Sequence, residues 1–140
     1  MAARRGGDRG ASEAELVILT PLLLVVVGLI VSLGRLGLAK VRVEDAAGAA
    51  VAAAVTGASP PAARRGAAGA VREDLAAEGV GCLTLSVSVD LDRFHPGGEV
   101  AVRLTCRVSL SQAAVPGLPG SMAVTGTARA PVDPNRNRPR

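Results

Sequence analysis

Between Glu15 and Arg35 the chain carries nineteen consecutive residues without a charge, Leu16 to Gly34, including the block Leu22-Leu23-Leu24-Val25-Val26-Val27. As a helix rising 1.5 Å per residue this run is about 28 Å long, close to the roughly 30 Å core of a bilayer. Thr20 and Pro21 alone interrupt it, and proline is tolerated in membrane helices. A cleaved secretory signal has a shorter apolar region, about 7–15 residues, although Gly37-Leu38-Ala39 would serve as its small-x-small cleavage site. A buried core helix is the third reading. A retained membrane-spanning helix over residues 11–38 is the expectation.

Composition narrows what remains. Phe94 is the single aromatic residue, which disfavours base stacking and hence nucleic-acid binding. Lys40, the one lysine, sits in Leu38-Ala39-Lys40-Val41 and not in a phosphate-binding loop. One histidine and two cysteines cannot build a four-ligand zinc site without carboxylates, so no metal is expected. His95 lies in a turn, and Asp90 and Asp92 share a strand face with no third acid nearby. No catalytic residue, cofactor or small-molecule substrate is expected, and the chain is read as a non-enzyme.

Charge orients the helix weakly. Arg4, Arg5 and Arg9 before the run balance Arg35, Lys40 and Arg42 after it, and the terminal amine tips the count towards a cytoplasmic N-terminus. Cys82 and Cys106 both lie beyond the span, where an oxidising compartment suits a disulfide. The two are out of phase, Cys106 with the apolar strand positions and Cys82 with the polar ones. Bonding them therefore requires the Gly79-Val80-Gly81 segment to bend; two separate thiols are the other reading.

Beyond the span the helix is expected to continue. Val43, Ala47, Ala50, Val51 and Ala54 recur at helical spacing until Gly57-Ala58-Ser59-Pro60-Pro61 breaks the pattern. Ser59 and Pro60 are the N-cap and first-turn residues of a second, alanine-rich helix from about 62 to 78, with Ala67, Val71 and Leu75 on one face and Gly79 as its stop. Leu83, Leu85, Val87, Val89 and Leu91 then alternate with polar residues, as do Val100, Val102, Leu104, Cys106, Val108 and Leu110. A turn over 93–98 separates the two runs, and a third, weaker strand spans about 121–130. The fold class is α+β: a long N-terminal transmembrane helix, a second helix and an antiparallel sheet of about three strands, one face covered by the helices. The divisions are 1–10, 11–38, a head over 39–131, and a proline- and arginine-rich tail over 132–140 expected to be disordered.

The leader Arg4-Arg5-Gly6-Gly7-Asp8-Arg9-Gly10, followed by Ala11-Ser12-Glu13-Ala14-Glu15 and the apolar run, resembles a class III (prepilin-type) signal. That resemblance implies cleavage by a prepilin peptidase between Gly10 and Ala11. It also implies pairing of Glu15, then the fifth mature residue, with the N-terminal amine of a neighbouring subunit. An ionised side chain in a bilayer costs about 2.5–3.5 kcal/mol, so a partner has value there. The plain alternative is a capping box, Ser12 as N-cap and Glu15 at N3. Over Gly10 to Leu24, with Ala14-Glu15-Leu16, Pro21 and Gly34-Arg35, the chain is similar to the TadE-like pseudopilins of the tight-adherence (Flp-type) pilus system. It differs in Val17, where that family often has alanine, and in the additional acid Glu13. The resemblance implies a pilin-like fold and a minor pilin contributing to assembly of a pilus or related secretion filament. Its partners would be the peptidase, other pilin subunits and the membrane assembly platform, with the head extracytoplasmic. The competing reading is an anchored or secreted extracytoplasmic binding domain unrelated to pili.

Overall fold

A computed structural model of the chain describes residues 9–113 and 117–136. Its elements run α1 (Arg9–Thr56), α2 (Pro60–Ala77), β1 (Thr84–Arg93), β2 (Glu99–Ser109), α3 (Leu110–Ala113) and β3 (Ser121–Pro131). The α+β class expected from the pattern is the fold observed. The span and its continuation form one helix, unbroken at Pro21. Because α1 begins at Arg9, Ser12 lies inside it, and the N-cap position considered for that serine is not where the helix starts. Nothing in Arg9-Gly10-Ala11 stops the backbone ladder, since neither proline nor a β-branched residue occurs there.

α1 ends where expected. Gly57 allows α2 to fold back: a Cβ there would lie 2.6 Å from the Ala63 backbone nitrogen. α2 opens two residues before the sequence reading placed it, because Pro60 and Pro61 occupy the first turn behind the N-cap Ser59, whose hydroxyl accepts from Ala62 N–H at 3.4 Å. It closes in a Schellman turn. Val80 N–H donates to Leu75 O at 2.9 Å and Gly79 N–H to Ala76 O at 3.2 Å, with Gly79 at φ +67.

The strands form an antiparallel meander in the order β1-β2-β3. Val100, Val102, Leu104, Cys106 and Val108 of β2 are buried under α1, as is Val124 of β3. Facing them are Val43, Ala46, Ala47, Ala50, Val51 and Ala54 of α1, with Ala63, Ala67, Val71 and Leu75 of α2 alongside. Small residues allow close approach: Gly126 lies so near α1 that a Cβ would sit 2.5 Å from the Val43 carbonyl oxygen. The outer sheet face is polar, with Arg103, Arg107, Thr125 and Thr127 exposed.

Two expectations shift. β1 has the predicted alternation, but Leu83 and Leu85 are exposed, because α1 lies over β2 and β3 and leaves β1 at the edge. Residues 132–136, expected within a disordered tail, pack on the head: Val132 is buried, exchanges backbone bonds with Gly97 and Gly98, and Arg136 donates to Val55 O at 3.0 Å. The apolar side chain immediately after the strand fills the end of the core, and the Arg136 guanidinium lies 4.9 Å from the centre of the Phe94 ring. Residues 137–140 of that tail, and 1–8 of the leader, lie outside the described residues.

Candidate functional site: an uncovered apolar helix on a disulfide-closed head

Along the apolar run of α1 the large side chains are left uncovered by the rest of the described chain. Leu16, Val17, Ile18, Leu19, Leu22 to Val27, Leu29, Ile30, Val31 and Leu33 are all exposed, from 44% to 73%. The helix is long and apolar enough to cross a membrane, with a stretch of mean hydropathy 3.0 that is 0% buried. A core helix of a soluble domain would be mostly covered; this one is bare. Its polar atoms are turned inward along the backbone. Thr20 Oγ1 donates to Leu16 O at 2.7 Å and Ser32 Oγ to Gly28 O at 2.8 Å, which satisfies both hydroxyls without water. Gly28 and Ser32, one turn apart, also leave a shallow place on the rod, since nothing lies within 4 Å of a Cβ at Gly28.

Glu15 stands at the foot of the apolar run and is exposed. Among the described ion pairs none involves it. Gly10 and Ala11, the residues flanking the expected cleavage, lie in the first turn of α1. Glycine has low helix propensity and weakens that turn.

At the other end Cys82 and Cys106 are joined by a disulfide, with Cα atoms 5.4 Å apart. The bend anticipated at Gly79–Gly81 is present. The positive φ of Gly79 turns the chain out of α2, and pairing begins with Leu83 N–H on Arg107 O at 2.7 Å. The bond ties the segment leading into the edge strand to a buried position in the second half of β2. Closing a loop of sequence separation 24 contributes about 3 kcal/mol in a chain-entropy account. Among the described residues no cluster of three metal-ligating side chains occurs. Asp90 Oδ1 accepts from Asp92 N–H at 3.0 Å, so the pair is a local turn of β1, and His95 Nδ1 lies 3.1 Å from Pro96 O in the 93–98 turn.

The molecule is thus an uncovered helix, long and apolar enough to cross a membrane, bearing a small α+β head. Residues 10–52 match the family model of TadE-like proteins, which bears out over that segment the resemblance drawn from its motifs. The match covers the whole apolar run and all of α1 but Arg9 and the last four residues, 43 of the 140 residues, and leaves α2 and the sheet outside it. No curated protein and no solved structure matches the chain.

Proposed function

We propose that this chain is a pseudopilin, or minor pilin, of a tight-adherence (Flp-type) pilus or a related secretion filament. The bilayer holds its helix until the subunit is incorporated or primes assembly. The observation that carries this reading is the family match over residues 10–52. It coincides with a helix whose apolar half is uncovered and whose next turns are built into the head. Such a rod can exchange a lipid environment for the matching rods of neighbouring subunits without refolding the head. In this reading a prepilin peptidase cuts between Gly10 and Ala11, and the new amine of one subunit neutralises Glu15 of another. That pairing offsets the roughly 2.5–3.5 kcal/mol cost of a carboxylate at membrane depth. The N-terminus is cytoplasmic and the head, with its disulfide, extracytoplasmic. The chain serves as substrate and building block and performs no catalysis itself.

The test is N-terminal sequencing of the protein recovered from the native membrane. Ala11 as the first residue is the expected result. Lys40 as the first residue would make the rod a discarded secretion signal, and an uncut leader would make it a plain anchor; either overturns the pseudopilin reading. A cut before Lys40 falls within α1, which runs unbroken through that point, and this speaks for the retained rod.

A further inference from the structure

Among the described residues, six large apolar ones beyond the charge-free run are exposed: Leu38, Val41, Leu83, Leu85, Leu118 and Met122. They are not scattered. Each lies at the end of the head nearest the apolar run. Leu83 and Met122 flank Val108 in the lowest inward-facing row of the sheet, since Leu83 N–H pairs with Arg107 O and Met122 opposes Val108. Leu118 is in the loop directly below that row, and Leu38 and Val41 are on α1 between the span and the core.

Their level can be reckoned along the two elements. Gly126 of β3 abuts Val43 of α1. Four residues down the strand, Met122 is about 13 Å lower. Eight residues down the helix, Arg35 is about 12 Å lower. The bottom of the sheet therefore comes level with Arg35, where the charge-free run ends. A cleft of about 300 Å³ confirms the alignment, because its lining brings Arg35, Leu38 and Arg42 of α1 together with Val80, Val108 and Gln112 of the head's base. With residues 16–34 in the hydrocarbon, the base of the head lies in the headgroup region.

Charge follows the same axis. Asp90, Asp92, Glu99 and Asp133 crowd the far end of the head, whereas neither 79–89 nor 100–128 contains an acid. The acid nearest the base, Glu78, is paired with Arg42, Nε to Oε2 at 3.3 Å. Arg35 makes no ion pair among those described.

We propose that the base of the head is a membrane-docking surface, in which Leu83, Leu118 and Met122 enter the interfacial layer of the leaflet beneath the head while Arg35 faces lipid phosphates. Apolar residues beside an arginine at headgroup depth are the composition of an interfacial anchor. Continuity with the span commits the surface to lipid, and it makes the head lie against the bilayer instead of swinging on its stalk. The proposal rests on membrane anchorage of the helix and is independent of the pilus role.

The chain contains no tryptophan, so single substitutions report one position each. Full-length Leu118→Trp, Met122→Trp, His95→Trp at the far turn and Leu24→Trp in the span are reconstituted in vesicles of phosphatidylcholine and phosphatidylglycerol with brominated acyl chains. Retention of the disulfide, read by mass, checks each variant. Leu118→Trp and Met122→Trp are expected to lose about half or more of their emission to the bromine, as an interfacial position requires. His95→Trp is expected to lose none. Base tryptophans quenched no more than His95→Trp, while Leu24→Trp is quenched, would overturn the docking and leave the anchor standing. Base tryptophans shielded from aqueous acrylamide yet untouched by bromine would assign the surface to a second copy or another protein, and also overturn it. An unquenched Leu24→Trp would remove the anchorage itself, and the docking with it.

Discussion

Residues 16–34 and 43–54 belong to one uninterrupted helix but solve opposite problems. The first stretch is built of leucine, valine and isoleucine on every face and is bare; the second is mostly alanine with two valines and is buried on one face. In a soluble domain the large side chains would be inside, since each buried Leu or Val contributes about 1.5–3 kcal/mol. Here the most apolar surface is left outside, and the helical side of the core is made mostly from alanine, packed against valines and Leu104 of the sheet. The rod is thus shaped for a cover that the chain does not supply, whereas the head is shaped for close contact between backbones. Small residues bury little area each, which is why a head of this size gains from a covalent tie.

The comparison breaks most visibly with one aspartate placed in each half. Ala50→Asp puts an unpaired charge in the core, at an expected cost of about 3–5 kcal/mol. The head should lose its cooperative unfolding transition while the protein stays in the membrane fraction. Leu24→Asp places the same charge in hydrocarbon, at about 2.5–3.5 kcal/mol on insertion scales. The membrane-bound fraction should fall while the head keeps its transition. If the two variants behave alike, the halves are not independent and the division of labour drawn here is wrong.

Much of that division was legible in the sequence because each half carries its own periodicity. The rod showed as an absence of charge, and the head helix as Val43, Ala47, Ala50, Val51 and Ala54 one turn apart. Strand phase placed Cys106 inside and required the bend that brings Cys82 across. What escaped depends on how far one element extends over another. Alternation along β1 could not reveal that α1 lies over β2 and β3 and leaves Leu83 and Leu85 exposed at the sheet edge. Nor could composition show that Val132 and Arg136, within a run of polar residues and prolines, close the far end of the core. The four-residue α3 follows β2 without a periodic signal of its own, and Leu110, placed by its alternation in the second strand, begins it instead. The role of Glu15 was suggested by motif alone, and a single chain holds no neighbour to pair with it.

The disulfide sharpens the contrast at a lower energy. The Cys82→Ser, Cys106→Ser double variant should lower head stability by about 3 kcal/mol and leave membrane partition unchanged. Thermal unfolding followed beside a flotation assay separates the two effects. A loss of partition with no change in unfolding would mean that the bond serves the rod and not the head.

The smallest effect probes the contact that joins sheet to rod. Gly126→Ala would set a methyl group 2.5 Å from the Val43 carbonyl oxygen and 3.0 Å from the Glu44 Cα, both backbone atoms that cannot rotate away. Either the strand lifts off α1 or the helix bends, and overpacking of this kind costs about 1–3 kcal/mol. The φ of Gly126 is not positive, so the cost reflects space and not backbone conformation. Two outcomes can therefore be told apart. A lower unfolding temperature, with Gly28→Ala in the span as an unaffected control, places the tight packing in the head, because a Cβ at Gly28 meets nothing within 4 Å. Equal stability for both variants would mean that the head helix and sheet have slack to give, and that small residues in 43–54 are not there for close approach.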